Sequence, residues 1–177
     1  MEVHAPDAAA MEAFGRELAG DLRAGDLVLL TGPLGAGKTT LTRGIGDGLG
    51  VRGPVQSPTF VLARTHPNLV GGPSLVHVDA YRLGSAALLD DLDLDFDHAV
   101  VVVEWGAGLL DDASDSWLEV VIERPAGAAA LGTGDGDGPG EVTDAADAEF
   151  LGADEPRVLE LRGYGPRWAG TRFGVGR

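Results

Sequence analysis

Apolar positions along the chain repeat with two different periods, and each change of period marks a new element. Met11, Phe14, Leu18 and Leu22 recur every three or four residues, which predicts an amphipathic helix over Ala8–Arg23, with Asp7 as its N-cap and Gly25 beyond its end. Leu27-Val28-Leu29-Leu30-Thr31 is a short unbroken apolar run, read as a buried strand that enters a Gly-rich turn and then a helix from about Lys38 to Leu49. Strand, turn and helix together make half of a βαβ unit. Leu75–Val78 and Ala99–Val103 lack the alternation of a half-exposed strand, so they are expected at the centre of a mostly parallel sheet. Between them Ser85 is placed to cap a helix through Leu94, with Ala86, Leu89 and Leu92 facing inward and the aspartates facing water. Trp117–Glu123 and Arg157–Arg162 alternate apolar and polar residues, which predicts strands with one wet face, antiparallel at an edge.

Residues 126–155 break both patterns. Seven glycines, small residues and acids dominate there, and Phe150 is the only aromatic. Such a segment buries too little apolar surface to offset its ordering entropy, so it is expected to be a mobile acidic insertion between two paired strands and not a second domain. A chain of 177 residues fits a single domain. The net charge is −15, and 13 of the 28 acids fall in two runs, Asp90–Asp97 and Asp135–Glu155. Those runs read as solvated faces or tails, and the balance argues against a surface that grips nucleic acid through its phosphates. The absence of cysteine excludes zinc fingers, iron–sulfur clusters, disulfide frameworks and thiol catalysis. No apolar run approaches the ~20 residues that span a bilayer and the start has no leader pattern, so a cytoplasmic protein without a membrane role is expected.

The candidate chemistry lies at Gly32-Pro33-Leu34-Gly35-Ala36-Gly37-Lys38-Thr39, which fits the phosphate-loop pattern G-x-x-x-x-G-K-[ST] between a predicted strand and a predicted helix. Glycines let consecutive backbone N–H groups curl around a β-phosphate, and the helix N-terminus adds its positive dipole end. Leu34, Gly35, Ala36, Gly37, Lys38, Thr39 and Thr40 are therefore the candidate contacts to a nucleoside triphosphate, most simply ATP with Mg²⁺. Lys38 would bridge β and γ oxygens while the Thr39 hydroxyl ligates Mg²⁺, a cation that prefers oxygen. Lys38 is also the chain's one lysine among twelve arginines, and a compact ammonium fits inside such a loop where a planar guanidinium does not. Asp79 and Glu104 each end a predicted strand, where ligands collect in open parallel sheets. One would hold the metal and the other orient the attacking water. The fold class expected is α/β and P-loop NTPase-like, a mostly parallel sheet flanked by helices with antiparallel edge strands.

A fold of this class hosts many functions, so other motifs must discriminate. A GTPase needs an Asn-Lys-x-Asp guanine reader, which a chain with its one lysine at position 38 lacks. A small-molecule kinase wants an arginine-rich lid, whereas Arg43, Arg52, Arg64 and Arg82 are scattered. Four motifs in order carry a resemblance: Gly-Pro-Leu-Gly-Ala-Gly-Lys-Thr-Thr at Gly32–Thr40, Ser-Pro-Thr-Phe at Ser57–Phe60, His-x-Asp-x-Tyr-Arg-Leu at His77–Leu83, and Glu104-Trp105. From about Leu27 to Trp105 the sequence resembles the bacterial ATPase of tRNA threonylcarbamoyladenosine biosynthesis, the TsaE or YjeE family.

The resemblance implies that Lys38 and the loop hold ATP, that Thr39 and Glu104 flank Mg²⁺, and that Asp79 is needed for hydrolysis. It also implies that Ser57 and Thr59 form a switch-like segment; a plain loop-to-strand turn is the alternative. Trp105 is expected either near the nucleotide or in the core, and His77, between apolar residues, as structural. Pro33 departs from the aspartate frequent in the family, the acidic insertion carries nothing over, and in the divergent C-terminal part Arg157 is a further candidate nucleotide contact. The implied role is a partner-stimulated, Mg-dependent ATPase acting on a two-protein threonylcarbamoyl transferase complex, with TsaB and TsaD type subunits, that modifies adenosine 37 of tRNAs reading codons that begin with A. Contact with tRNA would be indirect. The alternatives are a P-loop small-molecule kinase and a nucleotide-binding interaction module that does not need hydrolysis.

Overall fold

In the computed structural model the described residues are 1–58, 61–82, 97–106, 114–124 and 155–175. They form β1 (Glu2–Ala5), α1 (Ala8–Ala19), β2 (Leu27–Thr31), α2 (Lys38–Leu49), β3 (Ala63–His66), β4 (Ser74–Asp79), a 3-10 turn at Ala80–Arg82, β5 (Ala99–Glu104), β6 (Trp117–Glu123) and β7 (Arg157–Tyr164). The strands make one sheet in the order β1-β7-β6-β2-β5-β4-β3. The four central strands β6, β2, β5 and β4 are parallel to one another, and β1, β7 and β3 are added antiparallel. This is the expected α/β arrangement. The expected helix at Ser85–Leu94 and, apart from Glu155, the expected insertion at 126–155 lie outside the described residues.

The apolar runs sit where continuous hydrophobicity requires burial on both faces. Leu27 to Leu30, Leu75, Val76, Val78 and Ala99 to Val103 are all nearly solvent-free. One face, with Val28, Leu30, Leu75, Val100 and Val102, packs under α1 and α2, while Leu27, Leu29, Val76, Val78, Val101 and Val103 form a second cluster on the other face. Asp7 caps α1 as expected, its carboxylate accepting from Ala10 N at 2.8 Å. The helix ends at Ala19, however, not at Arg23. Asp21 N and Leu22 N bond to Leu18 O and Ala19 O, so a tighter turn continues the chain and still buries Leu22.

The strands at Trp117–Glu123 and Arg157–Tyr164 are antiparallel to each other as expected, but neither lies at the edge. β6 is an interior strand, parallel to β2 and antiparallel to β7, and β7 is covered in turn by β1. The alternation of β6 and β7 correctly indicates one buried face, but alternation reports faces and not neighbours. β1 and β3 are four residues each, too short for a period to register.

Helices α1 and α2 approach unusually closely. A Cβ on Gly44 would lie 2.3 Å from Glu12 O, one on Gly15 2.6 Å from Leu41 O, and one on Gly48 2.7 Å from Arg16 O. Glycine in a helix interior costs roughly 0.5–1 kcal/mol relative to alanine. Here that cost lets two backbones touch, which fixes how α2, and with it the start of the helix at Lys38, is seated on the sheet. No helix among the described residues is long and apolar enough to cross a membrane.

Candidate functional site

Because the four central strands run in one direction, their C-terminal ends share one edge of the sheet. β2 leads there into the loop at Gly32–Gly37, β4 ends on Asp79, β5 ends on Glu104, and β6 ends beside Arg124. The antiparallel β7 starts at the same edge with Arg157. The convergence of these chemically distinct residues follows from strand direction alone.

The loop departs from regular structure through Gly35 at φ 70° and Gly37 at φ 102°, conformations that residues with a Cβ rarely adopt. At Gly32 a Cβ would lie 2.6 Å from Ile122 O, so the loop also presses against β6. Leu34 is exposed, Ala36 and Thr40 are buried, and Gly37 is the N-cap of α2 with no side chain to satisfy the first-turn N–H groups. First-turn N–H groups without a side-chain cap make an anion-binding arrangement.

Lys38 is buried, and its ammonium donates to Gly32 O at 2.9 Å and to Pro33 O at 3.0 Å. It also lies 3.7 Å from the centroid of the Trp105 ring. Burial lowers its pKa from the ordinary lysine value, and the negative charges of Glu104 and then Asp79 oppose that fall. Trp105 is half-buried with φ 63°, and its ring packs against the exposed Tyr81 with centroids 5.4 Å apart. The structure thus places Trp105 against the phosphate-loop lysine.

Thr39 Oγ1 donates to Glu104 Oε1 at 2.9 Å, so the loop hydroxyl and the strand-end carboxylate meet directly. His77 Nε2 lies 2.8 Å from the same oxygen. A carboxylate oxygen accepts, so the imidazole donates through Nε2. His77 is fully buried, consistent with its expected structural part, yet what it supports is the orientation of Glu104. Asp79 pairs with Glu104 in the parallel register, which sets two buried carboxylates on adjacent strands. Asp79 Oδ1 accepts from Tyr81 N at 3.0 Å, which holds that side chain at the strand end.

Hard oxygen ligands suit Mg²⁺, and the Thr39 hydroxyl beside the Glu104 carboxylate supplies that donor set. Ser57 is half-buried in the irregular run before β3, and Thr59 lies outside the described residues. Arg157, the further candidate, donates through Nε to Ala36 O at 3.1 Å and so holds the loop by its carbonyl. Arg124, which the sequence does not single out, donates to Gly35 O at 2.6 Å. The sequence signal for it is faint, a basic residue directly after a strand that the pairing order puts next to β2.

Comparison with known proteins bears on the family and the fold. The family model described as "Threonylcarbamoyl adenosine biosynthesis protein TsaE" matches residues 5–129. A protein of Streptomyces coelicolor called tRNA threonylcarbamoyladenosine biosynthesis protein TsaE is 49% identical over 162 residues, covering 90% of this chain and 94% of its own. Proteins of the same name from Mycobacterium tuberculosis and Bacillus subtilis are 54% and 35% identical, over 63% and 64% of this chain and 71% of each relative. The crystal structure of Bacillus subtilis YdiB superposes with a TM-score of 0.59 at 24% identity, covering 93% of this chain and 84% of that one, which supports the fold. The match to residues 5–129, which takes in the phosphate loop, Asp79 and Glu104, and the near full-length likeness to the Streptomyces relative establish that the chain belongs to the TsaE family of threonylcarbamoyl adenosine biosynthesis proteins.

Proposed function

We propose that the chain is the ATP-binding and ATP-hydrolysing component of tRNA threonylcarbamoyladenosine formation in the cytoplasm, acting on a two-protein transferase complex of TsaB and TsaD type. The observation that carries this reading is the Thr39 Oγ1 to Glu104 Oε1 contact at 2.9 Å, with the buried Lys38 ammonium in the same loop. The first-turn N–H groups of α2 would receive the β-phosphate, and Lys38 would exchange its bonds to Gly32 O and Pro33 O for phosphate oxygens. Thr39 and Glu104 would hold Mg²⁺, which when bound neutralises charge on the phosphate oxygens and polarises them. His77 keeps Glu104 turned toward Thr39. Asp79, fixed by the Tyr81 N–H, supplies the acceptor that orients and deprotonates an attacking water. Ser57 and Thr59 form the segment ordered by ATP and released on hydrolysis. Contact with tRNA is indirect, in keeping with the net charge of −15.

The test is ATP hydrolysis by the purified chain alone and with the transferase pair from the same cell. Stimulation by the pair, lost in Asp79→Asn while ATP binding persists, is the expected outcome. An unstimulated rate, or an Asp79→Asn protein that hydrolyses like the wild type, overturns the reading.

A further inference from the structure

Two arginines hold the backbone of the phosphate loop from the β6 and β7 side of β2, whereas Glu104 comes from β5 on the other side. Arg124 donates to Gly35 O at 2.6 Å. Arg157 donates through Nε to Ala36 O at 3.1 Å and reaches Gly35 O at 3.5 Å through its terminal nitrogen. Both guanidiniums lie 3.7 Å from one Glu155 carboxylate oxygen, and Arg157 also bonds the Glu155 carbonyl. Glu123 pairs with Val158 across β6 and β7, so the two arginines leave neighbouring strands side by side. Arg157 is buried, and burial together with the facing Arg124 charge lowers its pKa, while Glu155 opposes that. Two like charges set together in a partly dry place are costly unless the contacts they make compensate. Those contacts include the Glu155 carboxylate, the carbonyls of Glu155 and Pro156, and the carbonyls of the loop.

The bonded peptides are the ones whose orientation matters. In a trans peptide the carbonyl and the next N–H point in opposite directions. Holding Ala36 O against Arg157 therefore turns the Gly37 N–H to the opposite side of the loop. Gly35 and Gly37 both have positive φ, so this stretch has little intrinsic preference for any one shape. We propose that Arg124 and Arg157 are positioning residues that brace the phosphate loop through the carbonyls of Gly35 and Ala36 and so preset its N–H groups for a nucleotide β-phosphate. The inference rests on the nucleotide-binding reading above, and its tests separate the two.

Calorimetric affinities for Mg·ATP and Mg·ADP are measured for the wild type, Arg124→Met, Arg157→Met and Arg157→Lys. A brace acts on the β-phosphate cradle that both nucleotides share, so each Met variant is expected to weaken both by the same factor, about tenfold. Arg157→Lys, which keeps the charge and one donor, should fall in between. Loss confined to ATP means that the arginines touch the γ-phosphate, and unchanged affinities mean that they do nothing for binding; either result overturns the proposal. A wild type that binds neither nucleotide overturns the nucleotide reading instead. Amide exchange at Gly37–Thr40 in nucleotide-free protein supplies a second readout. It should quicken in Arg124→Met while the β2 and β5 amides keep wild-type protection, and unchanged exchange at the loop also overturns the brace. If Arg157→Met does not fold, Arg124→Met and Arg157→Lys carry the same criteria.

Discussion

Removing the Glu104 carboxylate separates its part in folding from the part proposed for it in ATP hydrolysis. Its Oε1 accepts from a fully buried His77 and from Thr39 at 2.8 and 2.9 Å. Glu104→Ala leaves the His77 N–H in the interior without its acceptor, at about 1–3 kcal/mol. Thr39 is half-buried and its hydroxyl can rotate, so its share is nearer 1 kcal/mol. The buried Lys38 also loses the larger of the two charge effects that offset its desolvation. The sum is about 2–4 kcal/mol, which for a chain of this size lowers Tm by roughly 5–15 °C. Glu104→Gln keeps an acceptor oxygen in the same place and exchanges two charge-assisted bonds for neutral ones, at about 1–2 kcal/mol. On the proposed function, both variants should lose partner-stimulated hydrolysis, by about tenfold or more, because neither an amide nor a methyl replaces a carboxylate as a ligand for the proposed Mg²⁺. Urea unfolding and stimulated ATPase rates of the two variants provide the check. A Glu104→Ala protein within about 0.5 kcal/mol of wild type would refute the claim that this carboxylate organises buried donors.

Other consequences are more local. Burial lowers the His66 pKa from its ordinary value, so the unfolded chain binds more protons in the acid range and His66 costs stability as pH falls below 6.5; His66→Gln should therefore lose less stability than wild type between pH 7 and 5 in urea titrations. Gly44→Ala drives a methyl to 2.3 Å from Glu12 O and should cost about 1–3 kcal/mol or more, although alanine is the better helix former; a stabilised variant by thermal melting would contradict the close approach of α1 and α2. Arg167 donates to both oxygens of the buried Asp26 at 2.8 Å, so Arg167→Met should lose about 3–5 kcal/mol by urea unfolding. A loss below about 1 kcal/mol would show Asp26 finding water or another partner.

The sequence by itself determined the elements that carry a strong local signal. The unbroken apolar runs of β2, β4 and β5 gave central strands, since only a strand covered on both faces needs no polar side. The phosphate-loop pattern and the α2 boundaries at Lys38 and Leu49 were legible because glycine, lysine and threonine at fixed offsets serve one local geometry. Asp79 and Glu104 were legible as strand-end acids. What only the tertiary structure decided depends on which strands are neighbours. Strand order puts Asp79 in register with Glu104, carries His77 to the oxygen that Thr39 also binds, and makes β6 interior instead of an edge. It also brings Arg124 and Arg157 to loop carbonyls 89 and 121 residues away in the chain. No local pattern encodes such contacts, because side-chain periodicity reports the face a residue occupies and pairing across the sheet is settled by packing the whole chain at once.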